Sequence, residues 1–228
     1  MTKRVVITVD GVGASGKSAL SKAVAQRLGF GHLNSGLLYR AAGYLVLKER
    51  RDPLNADEVV AVMEKHTITL ERSHEKGSVI VIDGAAISDL ELAAPEVSEA
   101  ASRVAQHQKV RDRFVDVQRA AFAPDGVVAE GRDMGTVIFP DADVKFFVDA
   151  RLDVRSQRRY QQLKGTPQEA PLEAITRALA ERDTRDAGRE IAPMKAADEA
   201  VIVDNSDAPL EDTVESMLAT VRAKTNKP

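Results

Sequence analysis

The sequence predicts an α/β fold, a doubly wound parallel sheet flanked by helices with a small antiparallel β insertion, on three observations. Short, nearly continuous runs of β-branched and apolar residues at 5–9, 127–129, 144–148 and 200–203 alternate with longer segments of helical periodicity. Such runs mark parallel strands buried on both faces and joined by helices. A glycine-rich turn links the first run to the first helical segment. One stretch breaks the alternation: "HTITLERSHEKGSVIVIDGAAIS", 66–88, reads as two strands around a Lys76-Gly77 turn and a further short extended piece, with no helix between them.

In chain order, the strand at 5–9 precedes a helix at 16–28, a short strand at 32–34 and a helix at 36–50. After the antiparallel insertion come helices at 95–106 and 109–122, strands at 127–129 and 144–148, and helices at 153–163 and 172–187. A last strand at 200–203 leads to a helix at 210–224. This alternation is the pattern of a layered α/β domain with crossover connections. "KGTPQEAP", 164–171, is the clearest flexible loop, and "RAKTNKP" reads as a solvated, frayed end.

Composition narrows the function. With 228 residues, 43% apolar and 29% charged, the chain is long enough for a substantial core in one elaborated domain. A net charge of −3 gives no global attraction to nucleic acid or to an anionic membrane. There is no cysteine, and His32, His66, His74 and His107 are dispersed without zinc-ligand spacing, so no structural transition-metal site is expected. The apolar run after "MTKR" ends at Asp10, far too short for a signal peptide, and no segment approaches the roughly 20 apolar residues of a membrane span. A cytoplasmic location is the expectation.

"ITVDGVGASGKSAL" satisfies two phosphate-binding patterns. As G-x-G-x-x-G, Gly11, Gly13 and Gly16 would open a dinucleotide fold, which needs an acidic residue about 20 positions on to hold a ribose hydroxyl. The sequence there is "GHLNSG", with Asn34 and no carboxylate. As G-x-x-x-x-G-K-[ST], the residues Gly11, Val12, Gly13, Ala14, Ser15, Gly16, Lys17 and Ser18 form a P-loop. Its backbone N–H groups and helix N-terminus face phosphate oxygens, Lys17 supplies a point charge for the β- and γ-phosphates, and the Ser18 hydroxyl can ligate Mg²⁺. The pattern in its strand–loop–helix setting favours the triphosphate reading.

A guanine-nucleotide switch needs an N-K-x-D-type sequence, yet the only Asn-Lys pair is Asn226-Lys227. "VIVIDG" mimics a second acidic strand, but Asp83 sits beside a tight turn in the antiparallel insertion, where such an Asp more often serves the turn. Three clusters remain: "NSGLLYR", "EGRDMGT" and "ERDTRDAGR". Arg132 and Asp133 follow an apolar run and should project from the carboxyl end of a parallel strand, the edge where open α/β sheets bind ligands. Arg182, Asp186 and Arg189 fall at offsets 0, 4 and 7 on one helical face, although charges so spaced also simply decorate solvated helices. The same holds for Arg155, Arg158 and Arg159.

Taken with "EAASRVAQHQKVRD", "EGRDMGTVIFPDADVKFFVDA" and the final "DEAVIVDNS", these motifs resemble, in order and over nearly the whole chain, the bacterial cytidylate kinases of the nucleoside monophosphate kinase family. The resemblance implies a single P-loop kinase domain: a core at 1–60 and 96–228, a monophosphate-binding insertion at 61–95 and a helical lid at 151–168. It implies an ATP-binding loop at Gly11 to Ser18 and a clamp on the acceptor phosphate at Arg40 and Arg132. Ser35, Arg111, Asp133 and Arg189 match positions that read cytosine, and Ser102, Arg182 and Asp186 match those around the pentose. Arg155, Arg158 and Arg159 fall in the lid, with Arg158 or Arg159 approaching the transferring phosphoryl group. Two departures stand out: Asn34 where the family has Asp, and Ser18-Ala19 where it has Gly-Thr.

The implied partners are ATP, CMP or dCMP and Mg²⁺, with no nucleic acid and no membrane, in a monomer. A kinase of another monophosphate and a nucleotide-binding regulatory module are the rival readings. An acceptor clamp argues against the module.

Overall fold

The computed structural model describes residues 4–73, 77–120 and 126–225. In chain order its elements are β1 (Val5–Gly11), α1 (Lys17–Leu28), β2 (Gly31–Asn34), α2 (Gly36–Lys48), α3 (Ala56–Lys65), β3 (Ile68–Ser73), β4 (Gly77–Ile82) and β5 (Ala85–Ala86). Then come α4 (Asp89–Leu92), α5 (Pro95–Val104), α6 (Gln108–Ala120), β6 (Gly126–Glu130), a π-helical turn (Met134–Ile138), β7 (Val144–Asp149), α7 (Leu152–Leu163), α8 (Leu172–Gly188), β8 (Val201–Asp204) and α9 (Leu210–Thr225).

The chain divides into two compact units, Met1–Leu33 with Phe122–Pro228, and Asn34–Ala121. The first holds the five-stranded parallel sheet, ordered β2-β6-β1-β7-β8. β1 is central and buried on both faces: apolar Val5, Ile7 and Val9 on one, polar Thr8 and Asp10 on the other. Against one face, α1 sets Leu20, Val24 and Ala25, and α9 sets Val214, Met217, Leu218 and Val221 at the i, i+3, i+4, i+7 spacing of a core-facing stripe. Val9 pairs with Glu130 of β6 on one side and with Phe146 of β7 on the other. The chain winds outward to β2, back to β6 and across to β7, so the reversal of winding falls at the carboxyl end of β1, where such sheets bind ligands.

The second unit packs its helices against the antiparallel sheet β3-β4-β5. Its core joins Leu38, Leu45 and Val46 of α2 to Val59 and Met63 of α3, Ile80 and Ile82 of β4, Val104 of α5 and Phe114 of α6. The expected insertion at 61–95 lies inside this unit. Lys76 of the expected turn, His74, Phe122 at the end of an expected helix and the last three residues of the tail lie outside the described residues. Asp83 has φ 52 in the β4–β5 turn and accepts a hydrogen bond from the Thr67 N–H at 2.9 Å, so it serves turn geometry.

Three elements go beyond the sequence reading. α3 starts at Asn55, whose side chain caps the N–H groups of Asp57 and Glu58. α4 is a single turn held by a capping box of Ser88 and Glu91. The π-helical turn follows "EGRD" directly, and its backbone is held by a carboxylate distant in sequence, described below.

Gly11 ends β1 with φ 148, and a Cβ there would overlap the Val148 carbonyl of β7. Gly11→Ala is therefore expected to destabilise the protein by more than about 2 kcal/mol. Chemical denaturation should show it as a lowered midpoint; an unchanged midpoint would mean that the strand end relaxes freely.

Candidate active site

The loop between β1 and α1 wraps back on itself. Gly16, the N-cap of α1, has φ 89, and Ala14 has φ 58, so both lie in the left-handed region. Successive turns of this kind form a concave nest of N–H groups. The carbonyls of the loop are engaged by donors: Lys17 Nζ and Ser15 Oγ donate to Val12 O at 3.0 and 3.1 Å, Arg155 Nη1 to Gly13 O at 3.1 Å, and Asn205 Nδ2 to Ser15 O at 2.7 Å.

At the start of α1, Ser18 Oγ donates to Glu130 Oε2 at 2.7 Å. Glu130, the last residue of β6, is 1% exposed and also meets His32 Nε2 of β2 at 3.1 Å. Burial acts to raise its pKa, but His32, Lys17 and the Ser18 hydroxyl outweigh it and hold the carboxyl below its ordinary value. Sequence reasoning weighed Asp83 as the acidic strand end and passed over Glu130. The signal was present: an apolar run, "VVA", closing on a carboxylate one residue before the glycine of "EGRD".

Beyond Glu130 the chain places Arg132 beside α8. Its Nε donates to Asp186 Oδ2 at 3.1 Å, and Arg182 Nε lies 3.7 Å from the same oxygen. Burial, with Arg132 next to it, lowers the Lys17 pKa well below its usual value. The same two causes bring Arg182 down to about 10. Arg189 departs from the helical expectation. α8 ends at Gly188, and Arg189 is extended at φ −69, ψ 144, so it leaves the face of Arg182 and Asp186. Its Nη2 stands 3.8 Å from Asp133 Oδ1, and its Nε donates to Ala192 O at 2.6 Å.

Asp10, named in the sequence only as the end of the first apolar run, holds the segment that carries these groups. Its two oxygens accept from the N–H groups of Met134 and Gly135, both at 2.8 Å, and it is 3% exposed. Burial lifts its pKa to about 7 despite these bonds.

Of the three α7 arginines, Arg155 is buried, with its Nη1 on Asp183 Oδ2 at 2.5 Å and its Nε on Ala150 O at 2.8 Å. Arg158 reaches back to backbone carbonyls, Asn205 O at 2.8 Å and Ser15 O at 3.5 Å. Arg159 points elsewhere, donating to Gln162 at 3.3 Å. Adjacent helical residues diverge by about 100°, and the structure brings Arg158 to the loop at Ser15 O.

In the second unit, Ser35 is the buried N-cap residue of α2, and Arg40 on that helix donates to Ser98 Oγ at 2.7 Å and to Leu92 O. Ser102 is buried on α5. Arg111 of α6 is buried with its guanidinium 5.4 Å from the Tyr39 ring centre and a hydrogen bond to Ala105 O at 3.1 Å. Asn34, the family departure, receives its structural contact through the backbone, its N–H donating to Ser78 Oγ at 3.4 Å.

The side chains gathered around the loop suit the holding of phosphate anions, not attack upon them, and with the sheet order this defines a P-loop kinase. The cytidylate kinase family matches residues 7–223. The cytidylate kinase of Mannheimia succiniciproducens is 38% identical over 98% of this chain and 99% of its own length. Cytidylate kinase 1 of Haemophilus influenzae is 37% identical over 95% and 93%, and the cytidylate kinase of Azotobacter vinelandii is 37% identical over 96% of each. The chain belongs to the cytidylate kinase family and is a nucleoside monophosphate kinase.

The raised Asp10 pKa has a stability consequence. The folded protein holds that proton more tightly than the unfolded chain, so the group's contribution is present below about pH 4 and is lost as pH rises through about 7. The melting temperature of the wild type relative to Asp10→Asn is therefore expected to decline over that window. A constant difference would mean that Asp10 titrates like an exposed carboxyl.

Proposed function

We propose that this chain transfers the γ-phosphoryl group of ATP to CMP or dCMP, giving ADP and CDP or dCDP. The observation that carries the reading is Arg132 held by Asp186 at 3.1 Å close to the P-loop lysine. A second, partly buried cationic group beside the triphosphate loop is suited to a second anion. The acceptor phosphate has a second pKa near 6, so its attacking oxygen is largely deprotonated at neutral pH and needs no base. The work of the protein is to bring two anions into line, offset their repulsion and exclude water.

In this reading Gly11 to Ser18 take the ATP phosphates, whose negative charge favours the protonated form of Lys17 against the burial that disfavours it. Arg40 and Arg132 hold the acceptor phosphate through the two-pronged geometry of a guanidinium. Ser35, Arg111, Asp133 and Arg189 read cytosine, whose amino donor and neighbouring acceptors match a carboxylate paired with arginines. Ser102, Arg182 and Asp186 surround the pentose. Arg158 serves the transferring phosphoryl group, and Arg159 shares the lid at 151–168.

Mg²⁺ fits the residues at the head of α1. Ser18 and Glu130 put two hard oxygen donors 2.7 Å apart, and no group of three His, Cys, Asp or Glu among the described residues forms a cage of its own. That is the incomplete protein shell expected of an ion brought in with nucleotide phosphates. When bound, Mg²⁺ neutralises charge on the β- and γ-phosphates. Ser18 would ligate it and Glu130 would orient that hydroxyl. The same reading makes the protein a cytoplasmic monomer of pyrimidine nucleotide metabolism.

Offered CMP, dCMP, UMP, AMP and GMP singly with MgATP, the protein should release ADP fastest with CMP or dCMP. Preference for a purine would overturn the roles of Arg111, Asp133 and Arg189, and no turnover would leave a binding module. Arg132→Ala should lower kcat/KM for CMP on the order of a hundredfold or more with ATP affinity nearly unchanged; equal loss of both would make Arg132 structural. Chelation of divalent ions should abolish turnover reversibly, and activity persisting in excess chelator would contradict the Mg²⁺ assignment.

A further inference from the structure

The carbonyl contacts of the loop fix the direction of each peptide. In a trans peptide, C=O and N–H point to opposite sides. Val12 O faces the Lys17 ammonium, so the N–H of Gly13 in the same peptide points away from it, and it meets Asp183 Oδ1 at 3.2 Å. Gly13 O accepts from Arg155 Nη1 at 3.1 Å, so the N–H of Ala14 points the other way, away from Arg155. Arg155 and Asp183 pair with each other at 2.5 Å. One ion pair therefore grips both polar groups of Gly13, its carbonyl through the arginine and its N–H through the carboxylate.

Gly13 precedes a residue in an unfavourable conformation. Ala14 has φ 58, which costs a residue with a side chain about 1–2 kcal/mol. That cost must be offset by contacts around it. The Ala14 methyl packs against the cluster of Leu163, Ile175 and Leu179 contributed by α7 and α8, the same helices that supply Arg155 and Asp183. The side chains of the pair are 8% and 16% exposed, so their interaction is largely shielded from solvent and salt.

We infer that Arg155 and Asp183 are positioning residues for the ATP phosphates: as a buried ion pair they lock the Gly13–Ala14 peptide with the Ala14 N–H turned into the loop. This rests on the reading of Gly11 to Ser18 as the ATP site and assigns a use to two residues that the phosphate roles above leave out. Without the pair, the peptide is free to rotate and turn a carbonyl, not an N–H, toward the anion. The pair also hangs the P-loop on α7 and α8, the two helices that flank the 164–171 loop.

Calorimetric titration with the magnesium complex of the β,γ-imido analogue of ATP, and separately with CMP, tests this. Asp183→Ala and Arg155→Ala should each weaken the ATP analogue about tenfold, the worth of a charged hydrogen bond, with CMP affinity unchanged within about twofold. The double variant should bind no more weakly than the worse single one, because both act through one pair. Asp183→Asn, which keeps an acceptor for the Gly13 N–H but loses the ion pair, should fall between wild type and Asp183→Ala, and it carries the test if the alanine variant fails to fold. Equal weakening of both ligands, additive losses in the double variant, or wild-type affinity in the asparagine and alanine variants would each overturn the inference. Failure of the wild type to bind the ATP analogue would instead overturn the reading of the loop as an ATP site.

Discussion

Asp186 sits against the guanidinium of Arg132 at 3.1 Å and that of Arg182 at 3.7 Å, itself only 2% exposed. At separations of roughly 5 Å, two like charges repel by roughly 3 kcal/mol at an effective dielectric near 20, and Lys17 adds a third cation to this group. The carboxylate makes it possible to keep these cations together before any phosphate arrives. It does so incompletely: Lys17 and Arg182 still show lowered pKa values from burial and from Arg132. The residual imbalance is what an incoming polyanion relieves.

The fold brings this about through the end of one strand. β1 delivers the loop that begins at Gly11, β6 beside it delivers Glu130 and then Arg132, and β7 on the other side leads to α7 and its arginines. Asp10 ties the first of these to the second through the two N–H groups that open the π-helical turn. Such turns recur at functional sites because they re-aim the residues next to them. Here the turn immediately follows Arg132 and Asp133. The polar interior of this region is therefore ordered by carboxylates: Asp10 for the backbone, Asp183 for Gly13 and Arg155, Asp186 for the arginines, and Glu130 for Ser18.

Much of the architecture was legible because its signals are local. The runs at 5–9 and 144–148 could be nothing but buried strands once a glycine-rich turn and a helix followed the first of them, and the whole P-loop pattern lies in eight consecutive residues. Asn55 and Ser88, which start α3 and α4, were also local signals, but "NADE" and "SDLE" sit beside the irregular insertion and were not read as caps. Long-range carboxylate partners left no such trace. Asp10 looks like the polar end of a strand until Met134 and Gly135, more than 120 residues away, donate to it. Arg189 obeyed the helical spacing of its neighbours in the sequence but lies one residue past the end of α8, a boundary that no residue type announces. The resemblance to the family supplied roles for the arginines; their spacing alone did not show that Arg158 reaches the loop.

The central claim is that one chain holds donor and acceptor phosphates together at adjacent cationic groups. A calorimetric titration with an adenosine and a cytidine joined through a polyphosphate chain tests it most directly, alongside ATP and CMP alone. One ligand per chain is expected, bound at least about a hundredfold more tightly than ATP because the second attachment is intramolecular. Affinity no better than that of ATP alone, or two linked ligands per chain, would contradict it.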